Sequence, residues 1–454
     1  MSNKPSRTTF RNRLEEMVKS LKDDIIANKY PPGTYLPSEN ALVEQYSLSS
    51  KSVAKGLDML QEEGLIIKIH RVGSMVKEVD SQKKVTITLG YSPDHNIVLE
   101  ELIAEFSSLY SHIEVNTTSF EPYDHASIKK HIKSNKIDTF MLNYLDFQKI
   151  VETEELDFLE PLPVRQDISP FLYEPFIEGD TCYAQPLTFS PIILCYNKDH
   201  FTEAGLPEPD SDWTWKDLMH YASLLSKDNE RYGLYFHALS ENRWPIFQIQ
   251  SGIKFEREPS GTYKIYGTKI MESFAFYRDL ILNSSLIPPF FSENNSDANM
   301  LFLQGKISMT ITSYFGLDLF RDSSLNYDIA PLPFFSEPLT LLLCIGMALN
   351  KNSENKEAAN LLVQFLTSEK AQTIIRNKTL NIPSLKKIAQ QKSGDHLNRP
   401  SRFNLYREII PTFRYHKDLN LNVQSIVTIR QQLKFLLSKM ESEDEMCVKL
   451  EHLL

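Results

Sequence analysis

Hydrophobic positions change their spacing several times along this chain, and each change marks an element. Leu14, Met17, Val18, Leu21 and Ile25 recur on one face of a helix. Residues 36–76 read LPSENALVEQYSLSSKSVAKGLDMLQEEGLIIKIHRVGSMV, which predicts a short helix, a tight turn, a second helix and a β-hairpin. Ser38 caps the short helix behind Pro37, and Ala41, Leu42 and Tyr46 are its expected buried positions. Ser47-Leu48-Ser49 supplies the cap of the second helix, which stops at the left-handed Gly64. On that helix Val53, Leu57 and Leu60 face inward, while Lys51 and Lys55 lie on the opposite face near the N-terminal end. Asp58 and Glu62 take the far end of that face. A helix entering a DNA major groove N-terminus first has this polarity; so does an ordinary helix pair with a solvated face. Residues 65–69 and 74–79 are apolar runs around His70-Arg71-Val72-Gly73 and suit a two-stranded wing.

A polar stretch at 80–84 separates this region from the rest of the chain. The expected domains are therefore 1–80, a linker at 81–84, and 85–454. The β-branched run at 85–89 ends at Gly90-Tyr91, and a helix comes next with Leu99, Leu102, Ile103 and Phe106 on one face. Residues 113–120 alternate as a strand, 124–135 read as a helix, and 137–142 as a third strand. Strand–helix–strand–helix–strand with these connections implies a parallel sheet with right-handed crossovers. Ligands of such sheets gather beyond the strand C-termini, here Tyr91-Ser92 and Asn143-Tyr144-Leu145-Asp146.

At 454 residues the chain exceeds one ordinary core, and 41% hydrophobic with 24% charged residues is a globular composition. No apolar run is long enough to cross a bilayer. The N-terminal residues have charge without an apolar segment, which is not the pattern of a secretory signal. Cys182, Cys195, Cys344 and Cys447 lack metal-type spacing; three sit in apolar surroundings and read as small core residues. A reducing, cytoplasmic setting is expected. The net charge of −10 argues against nucleic acid until the chain is divided. Residues 1–80 carry 12 basic against 11 acidic side chains, the remainder 37 against 48. Arg7, Arg11, Arg13, Lys51, Lys55 and Arg71 provide local positive charge in the first part.

Gly33, Leu36-Pro37-Ser38-Glu39, Ser49-x-x-Ser52-Val53, Leu57-x-x-Leu60, Glu63-Gly64-Leu65-Ile66 and Gly73-Ser74-x-Val76 resemble the GntR family of winged helix-turn-helix regulators. The resemblance implies a double-stranded DNA operator, a homodimer, and contacts from Arg7, Ser38, Glu39, Ser49, Ser50, Lys51, Ser52, Lys55, His70 and Arg71. The family is usually basic where this chain has Asn40, Ser50, Ala54 and Val72; Lys51, Lys55 and Arg71 stand nearby.

A second set of words lies beyond residue 85. Gly179 to Leu187 leads into Ile192-Ile193-Leu194-Cys195-Tyr196-Asn197-Lys198, then Phe201-x-x-Ala204-Gly205-Leu206 and Trp213-Thr214-Trp215-Lys216-Asp217-Leu218. Phe302-x-x-Gly305-Lys306-Ile307-Ser308-Met309-Thr310, Tyr327-Asp328-Ile329-Ala330-Pro331-Leu332-Pro333, residues 358–367 and a closing amphipathic helix at 433–454 complete the succession. It resembles the family 1 extracellular solute-binding proteins, the sugar receptors of ABC importers. That implies two α/β lobes clamping a ligand in a cleft, behind the N-terminal winged helix-turn-helix domain. Aromatic faces and carboxylates suit a sugar, and Tyr91, Tyr144, Asp146, Phe189, Trp244 and Tyr314 are the expected ligand residues. Trp244 is chosen because Glu241-Asn242-Arg243-Trp244-Pro245 reads as a polar loop; Trp213 and Trp215 read as structural helix-start residues.

Catalytic patterns are missing from the sequence. The eleven histidines are scattered, and no G-x-S-x-G elbow, phosphate-binding loop or metal spacing occurs. His125 and His131 do not share a helix face, and Glu100-Glu101 and Glu154-Glu155 read as solvated. No cofactor and no enzymatic activity are expected. The reading is a cytoplasmic regulator, more in keeping with a repressor, that senses a sugar or oligosaccharide. Two other readings remain open: a receptor of an ABC sugar importer, and a regulator fused to an aminotransferase-like domain. The latter would need a Ser-x-x-Lys segment followed by Pro and Arg-x-Gly, which is not found.

Overall fold

The computed structural model describes the chain except residues 1–6, 27, 70–71, 78–83, 94–97, 121–128, 133, 135, 228–229, 260, 284–285, 289–291, 336 and 392–395, and the side chains of 7–12. The N-terminal part is α1 (Arg7–Ile26), α2 (Glu39–Tyr46), α3 (Ser50–Glu62) and the hairpin of β1 (Ile66–Ile69) with β2 (Gly73–Val76). Its turns follow from the capping residues. The Ser38 hydroxyl accepts from the Ala41 amide at 3.2 Å, and the Ser49 hydroxyl from the Ser52 amide at 3.2 Å. Gly64, at φ +74°, ends α3 in the left-handed region. Ile66 faces Val76 across the antiparallel wing.

Met17, Leu21, Leu42, Val53, Leu57 and Leu60 close a core that belongs to this part alone. A Cβ at Gly56 would collide with the Met17 side chain, so the lack of one lets α1 and α3 approach closely. Ala41, expected inside, is exposed; in an eight-residue helix Leu42 is the buried position.

The second part opens with β3 (Val85–Tyr91), α4 (Leu99–Leu109), β4 (Ile113–Ser119), β5 (Thr139–Asn143) and α5 (Tyr144–Glu152). β3 pairs in parallel with both β4 and β5, as the alternating elements predict. The helix expected at 124–135 falls largely outside the described residues. Then come β6 (Ala184–Asn197), α6 (Lys198–Ala204), α7 (Trp215–Leu225), β7 (Tyr232–Tyr235), α8 (Trp244–Gln250), α9 (Lys269–Ile281) and α10 (Asn295–Leu303). The chain continues through β8 (Ile307–Ser313), β9 (Tyr327–Ala330), β10 (Thr340–Leu349), α11 (Lys356–Leu366) and α12 (Glu369–Lys378). It closes with α13 (Val423–Leu437) and α14 (Glu443–Leu453).

Sheet order is β4-β3-β5-β10-β6-β8-β7, with β9 also on β6. β6 is buried along its whole length, the mark of a strand covered on both faces. Its first half pairs with β10 and its second half with β8. The sheet thus divides into two lobes, one around β3–β5 and one around β7–β9, with β6 and β10 running through the junction. The expected single closing helix is two helices. Lys439 takes φ +56°, and Ser442 and Glu445 form a reciprocal capping box that starts α14 afresh. All four cysteines are free and buried. Among the described residues no helix is long and apolar enough to cross a membrane.

Candidate functional site

Two surfaces carry functional chemistry. The first is the N-terminal end of α3. Ser38, Glu39, Ser49, Ser50, Lys51 and Lys55 are all exposed there, and Ser52 is half-buried. The Ser52 and Ser49 hydroxyls lie 3.0 Å apart, so both serines shape the turn as well as facing outward. The Arg7 side chain, His70 and Arg71 lie outside the described residues. Lys68 on β1 was not singled out from sequence. Its ammonium donates to the Ala54 carbonyl at 3.0 Å and pairs with Asp58. This ties the wing to α3 and neutralises the acid nearest the lysine pair. The alternation of Lys68 between Ile67 and Ile69 was the available signal. Arg13 donates to the Ser47 carbonyl at 3.3 Å and fixes the turn between α2 and α3 from behind.

The second surface lies between the lobes, where the C-terminal end of β5, the turn before α8 and the stretch 403–420 meet. Asn143 caps α5, its side chain accepting from the Asp146 amide at 2.9 Å, and Tyr144, the first residue of that helix, is buried. The Tyr144 ring stacks on His416, with centroids 5.7 Å apart and planes 11° from parallel. His416 is buried and its Nε2 lies 2.9 Å from the Glu241 carbonyl oxygen. Burial lowers the His416 pKa to about 4 against the weaker pull of that carbonyl, so the ring is neutral and Nε2 is the donor. Nδ1 is enclosed without a hydrogen-bond partner among the described residues. The Glu241 carboxylate is raised by burial and held by Arg430 of α13, 2.5 Å away. Lys417 pairs with Glu174 at 3.3 Å, and both Glu152 carboxylate oxygens accept from the Val423 amide at 2.9 and 3.1 Å. Charged side chains therefore clasp the lobes on either side of the stacked rings.

An aromatic chain continues from this cluster. The Tyr415 hydroxyl donates to the Phe171 carbonyl. Phe171 meets Phe189 edge-on at 5.9 Å, Phe189 meets Tyr406 at 5.7 Å, and Tyr406 meets Tyr314 at 5.9 Å. The stretch from Phe403 to His416 thus connects three predicted residues, Tyr144, Phe189 and Tyr314, that are distant in sequence.

Several expectations about individual residues are corrected. Trp244 does not sit on an exposed loop. It opens α8 ahead of Pro245, is 1% exposed, and its indole nitrogen has no partner among the described residues. Tyr314 is fully buried and donates to the Phe403 carbonyl at 3.0 Å, so its hydroxyl is engaged by the protein itself. Phe189 is a core ring of the junction strand β6. Asp146 is buried beside the Asn143 side chain; burial raises its carboxyl to about 7, with Asn143 pulling the other way. Tyr91 ends β3 half-buried against the first lobe's core. Sequence reasoning missed His416, Glu241 and Arg430. Glu241 stood inside the polar loop that was noticed, but the tryptophan was preferred over its charged neighbours. His416 and Arg430 carry no local signal, since only the fold brings them to β5.

A winged helix-turn-helix joined to a two-lobed α/β binding fold defines a regulator domain carrying a solute-binding domain. The comparisons with known proteins agree. Residues 92–373 match the profile of bacterial extracellular solute-binding proteins, and the chain belongs to that family. Residues 14–76 match the bacterial regulatory proteins of the gntR family, a domain type that implies DNA binding. A galactooligosaccharide-binding protein of Bacillus subtilis is 23% identical over 252 residues, 51% of this chain and 57% of that relative. An uncharacterized HTH-type transcriptional regulator of the same organism, YurK, is 27% identical over 128 residues, 26% of this chain and 52% of that protein. The chain spans about half the length of the curated relatives it matches. An ABC substrate-binding protein of Listeria monocytogenes in complex with cycloalternan shares the fold. Its TM-score is 0.70 at 21% identity, covering 81% of this chain and 97% of that one. Neither matched family is enzymatic.

Proposed function

We propose that this chain is a cytoplasmic transcriptional regulator whose solute-binding domain senses a carbohydrate, with an oligosaccharide favoured, and which represses until that ligand arrives. The observation that carries the reading is the union in one chain of an exposed α3 face, bearing Lys51 and Lys55, with a two-lobed fold whose junction holds stacked rings and buried charge. Tyr144 and His416 are buried against each other here; when the lobes part, Tyr144 and the half-buried Phe171 offer faces for sugar C–H surfaces, and Glu241, Arg430 and His416 offer donors and acceptors for hydroxyls. The relatives' ligands, galactooligosaccharide and cycloalternan, are of that class. The chain acts as a homodimer on a two-fold operator in double-stranded DNA, doubling the contacts of a module with few basic side chains. Its domains are taken as 1–80 and 85–454.

The ligand closes the two lobes at the 403–420 crossing, and so changes the spacing or orientation of the two readers presented to the two half-sites. The test is a gel shift on the DNA upstream of its own gene, titrated against a panel containing maltotriose, galactooligosaccharides and cyclic glucans. At least one sugar is expected to move the binding midpoint fivefold or more. A midpoint indifferent to every sugar would remove carbohydrate sensing while leaving DNA binding in place.

A further inference from the structure

The DNA-reading domain touches the first lobe at a contact outside both surfaces described above. Lys19 of α1 reaches the Asp167 carboxylate at 3.1 Å. Asp167 is also gripped by Arg165, through Nε at 3.1 Å and Nη2 at 2.8 Å. Burial pushes its pKa up, but the Arg165 and Lys19 charges outweigh that and hold it down at about 2, so the carboxylate stays charged. One helical turn further along α1, Asp23 is raised by burial and by the Glu369 carboxylate, against Lys19 and Arg165. Glu369 itself is paired with Lys387 at 2.9 Å. The contact therefore sets one attraction beside one repulsion. At the C-terminal end of α1 the two parts also wall a cavity of about 560 Å³, lined by Ile26, Leu65 and Val76 of the reader and by Val85, Tyr110 and Leu361 of the first lobe. The two cores do not merge. A half-exposed ion pair of this kind is individually weak, and polar interdomain contacts permit relative motion by default.

Asp167 belongs to a stretch that also reaches the interlobe cluster. Arg165 donates to the Thr367 carbonyl and hydroxyl at the end of α11, both at 3.0 Å. Its backbone amide donates to the Tyr173 hydroxyl at 3.0 Å, and that hydroxyl donates to Gln185 of β6 at 3.0 Å. Phe171 and Glu174 then meet Tyr415 and Lys417 at the lobe crossing. The single stretch 165–174 spans the distance from the reader's contact to the clasp between the lobes.

We propose that the Lys19–Asp167 contact is a releasable latch holding the reader by its back, and that residues 165–174 carry lobe movement to it. Gly64 and Leu65, beyond the C-terminal end of α3, line the cavity, whereas Ser49, Ser50, Lys51 and Lys55 at the other end stay exposed. The latch thus sets the reader's orientation without masking its DNA face. This rests on the regulator reading above and names how the two domains communicate in it.

The test uses the full chain with Gln61→Cys and Lys351→Cys spin labels at exposed sites, the four native cysteines being buried. Distances are measured without DNA or sugar, so a failure of carbohydrate sensing leaves the result readable. One dominant distance is expected at low salt. Lys19→Met, at a mostly exposed side chain, should at least halve that population, and salt at about 0.5 M should act likewise on the parent. Glu174→Gln, far from the reader, should move the distribution in the same direction. An unchanged distribution in Lys19→Met overturns the latch. A response to Lys19→Met without one to Glu174→Gln overturns the transmission.

Discussion

His416 lies under the Tyr144 ring with one nitrogen bonded and the other enclosed, and that placement gives stability a definite dependence on pH. The folded ring titrates at about 4 because burial disfavours its charge, whereas in the unfolded chain it titrates at about 6.5. Between those values the unfolded state binds more protons, so stability falls as pH drops from 7 toward 4. The stability forfeited at this one group by pH 5 is on the order of 2 kcal/mol. Asp146 acts with the opposite sign: raised to about 7 by burial, it is stabilising while protonated and loses that effect as pH rises through 7. Urea unfolding of the parent, His416→Gln and Asp146→Asn at pH 5 and pH 7 separates the two. His416→Gln should lose less stability on acidification than the parent, and Asp146→Asn should lose more. Equal slopes in all three would mean that neither group is enclosed as described. Trp244 shows why side-chain type alone misleads at this scale. A lone aromatic among Glu241, Asn242 and Arg243 read as a ligand face, yet it is enclosed in the second lobe, where its removal opens a cavity.

Among the elements, α3 was the most legible. Two serine caps, a 3.6-residue apolar stripe and a left-handed glycine stop all point to one helix with one free face, and Val53, Leu57 and Leu60 are indeed buried while Lys51 and Lys55 are exposed. The alternation and crossover spacing of residues 85–143 gave the parallel β3, β4 and β5 equally well. By contrast, α8 is buried on every side, so it has no polar face to set a period, and a seven-residue run behind a polar turn looked like a loop. The break between α13 and α14 was readable from Ser442 and Glu445, whose capping box outweighed the continuing apolar stripe. The exposed face of α3 carries its own prediction. Removing one phosphate-neutralising side chain lowers the slope of log K against log salt by about 0.9. Lys51→Ala with Lys55→Ala should therefore flatten that slope by about 2 and weaken binding across operator sequences. Binding isotherms at several salt concentrations, with the exposed Lys254→Ala of the second part as the control, check it. A slope identical to the parent's would place the DNA contacts elsewhere than on α3.

At the scale of the whole molecule, the sequence displayed the order of the parts but not how they meet. Winged-helix words and solute-binding words lie in separate stretches, each with its own periodicity. The cluster of Tyr144, Glu241, His416 and Arg430 is instead assembled from four places that only the shared strands β6 and β10 bring together. No local pattern encodes such a meeting. Its consequence is thermodynamic. If a sugar bound between the lobes alters operator affinity by some factor, operator DNA must alter sugar affinity by the same factor, because both are linked through one set of conformations. Coupling of about 1–3 kcal/mol corresponds to a change of roughly 5–150-fold. Two titrations therefore give one number: operator affinity with and without the sugar that moves the gel shift, and calorimetric sugar affinity with and without a saturating operator duplex. The latch at Lys19 supplies a third arm. Lys19→Met should bring both factors toward one together, and by the same reciprocity it should also shift sugar affinity without DNA, because the latch and the lobes are linked. Matching factors that collapse together place the coupling in the contact between the domains. Matching factors that survive Lys19→Met would place it in the dimer, where lobe movement alters the spacing of the two readers directly.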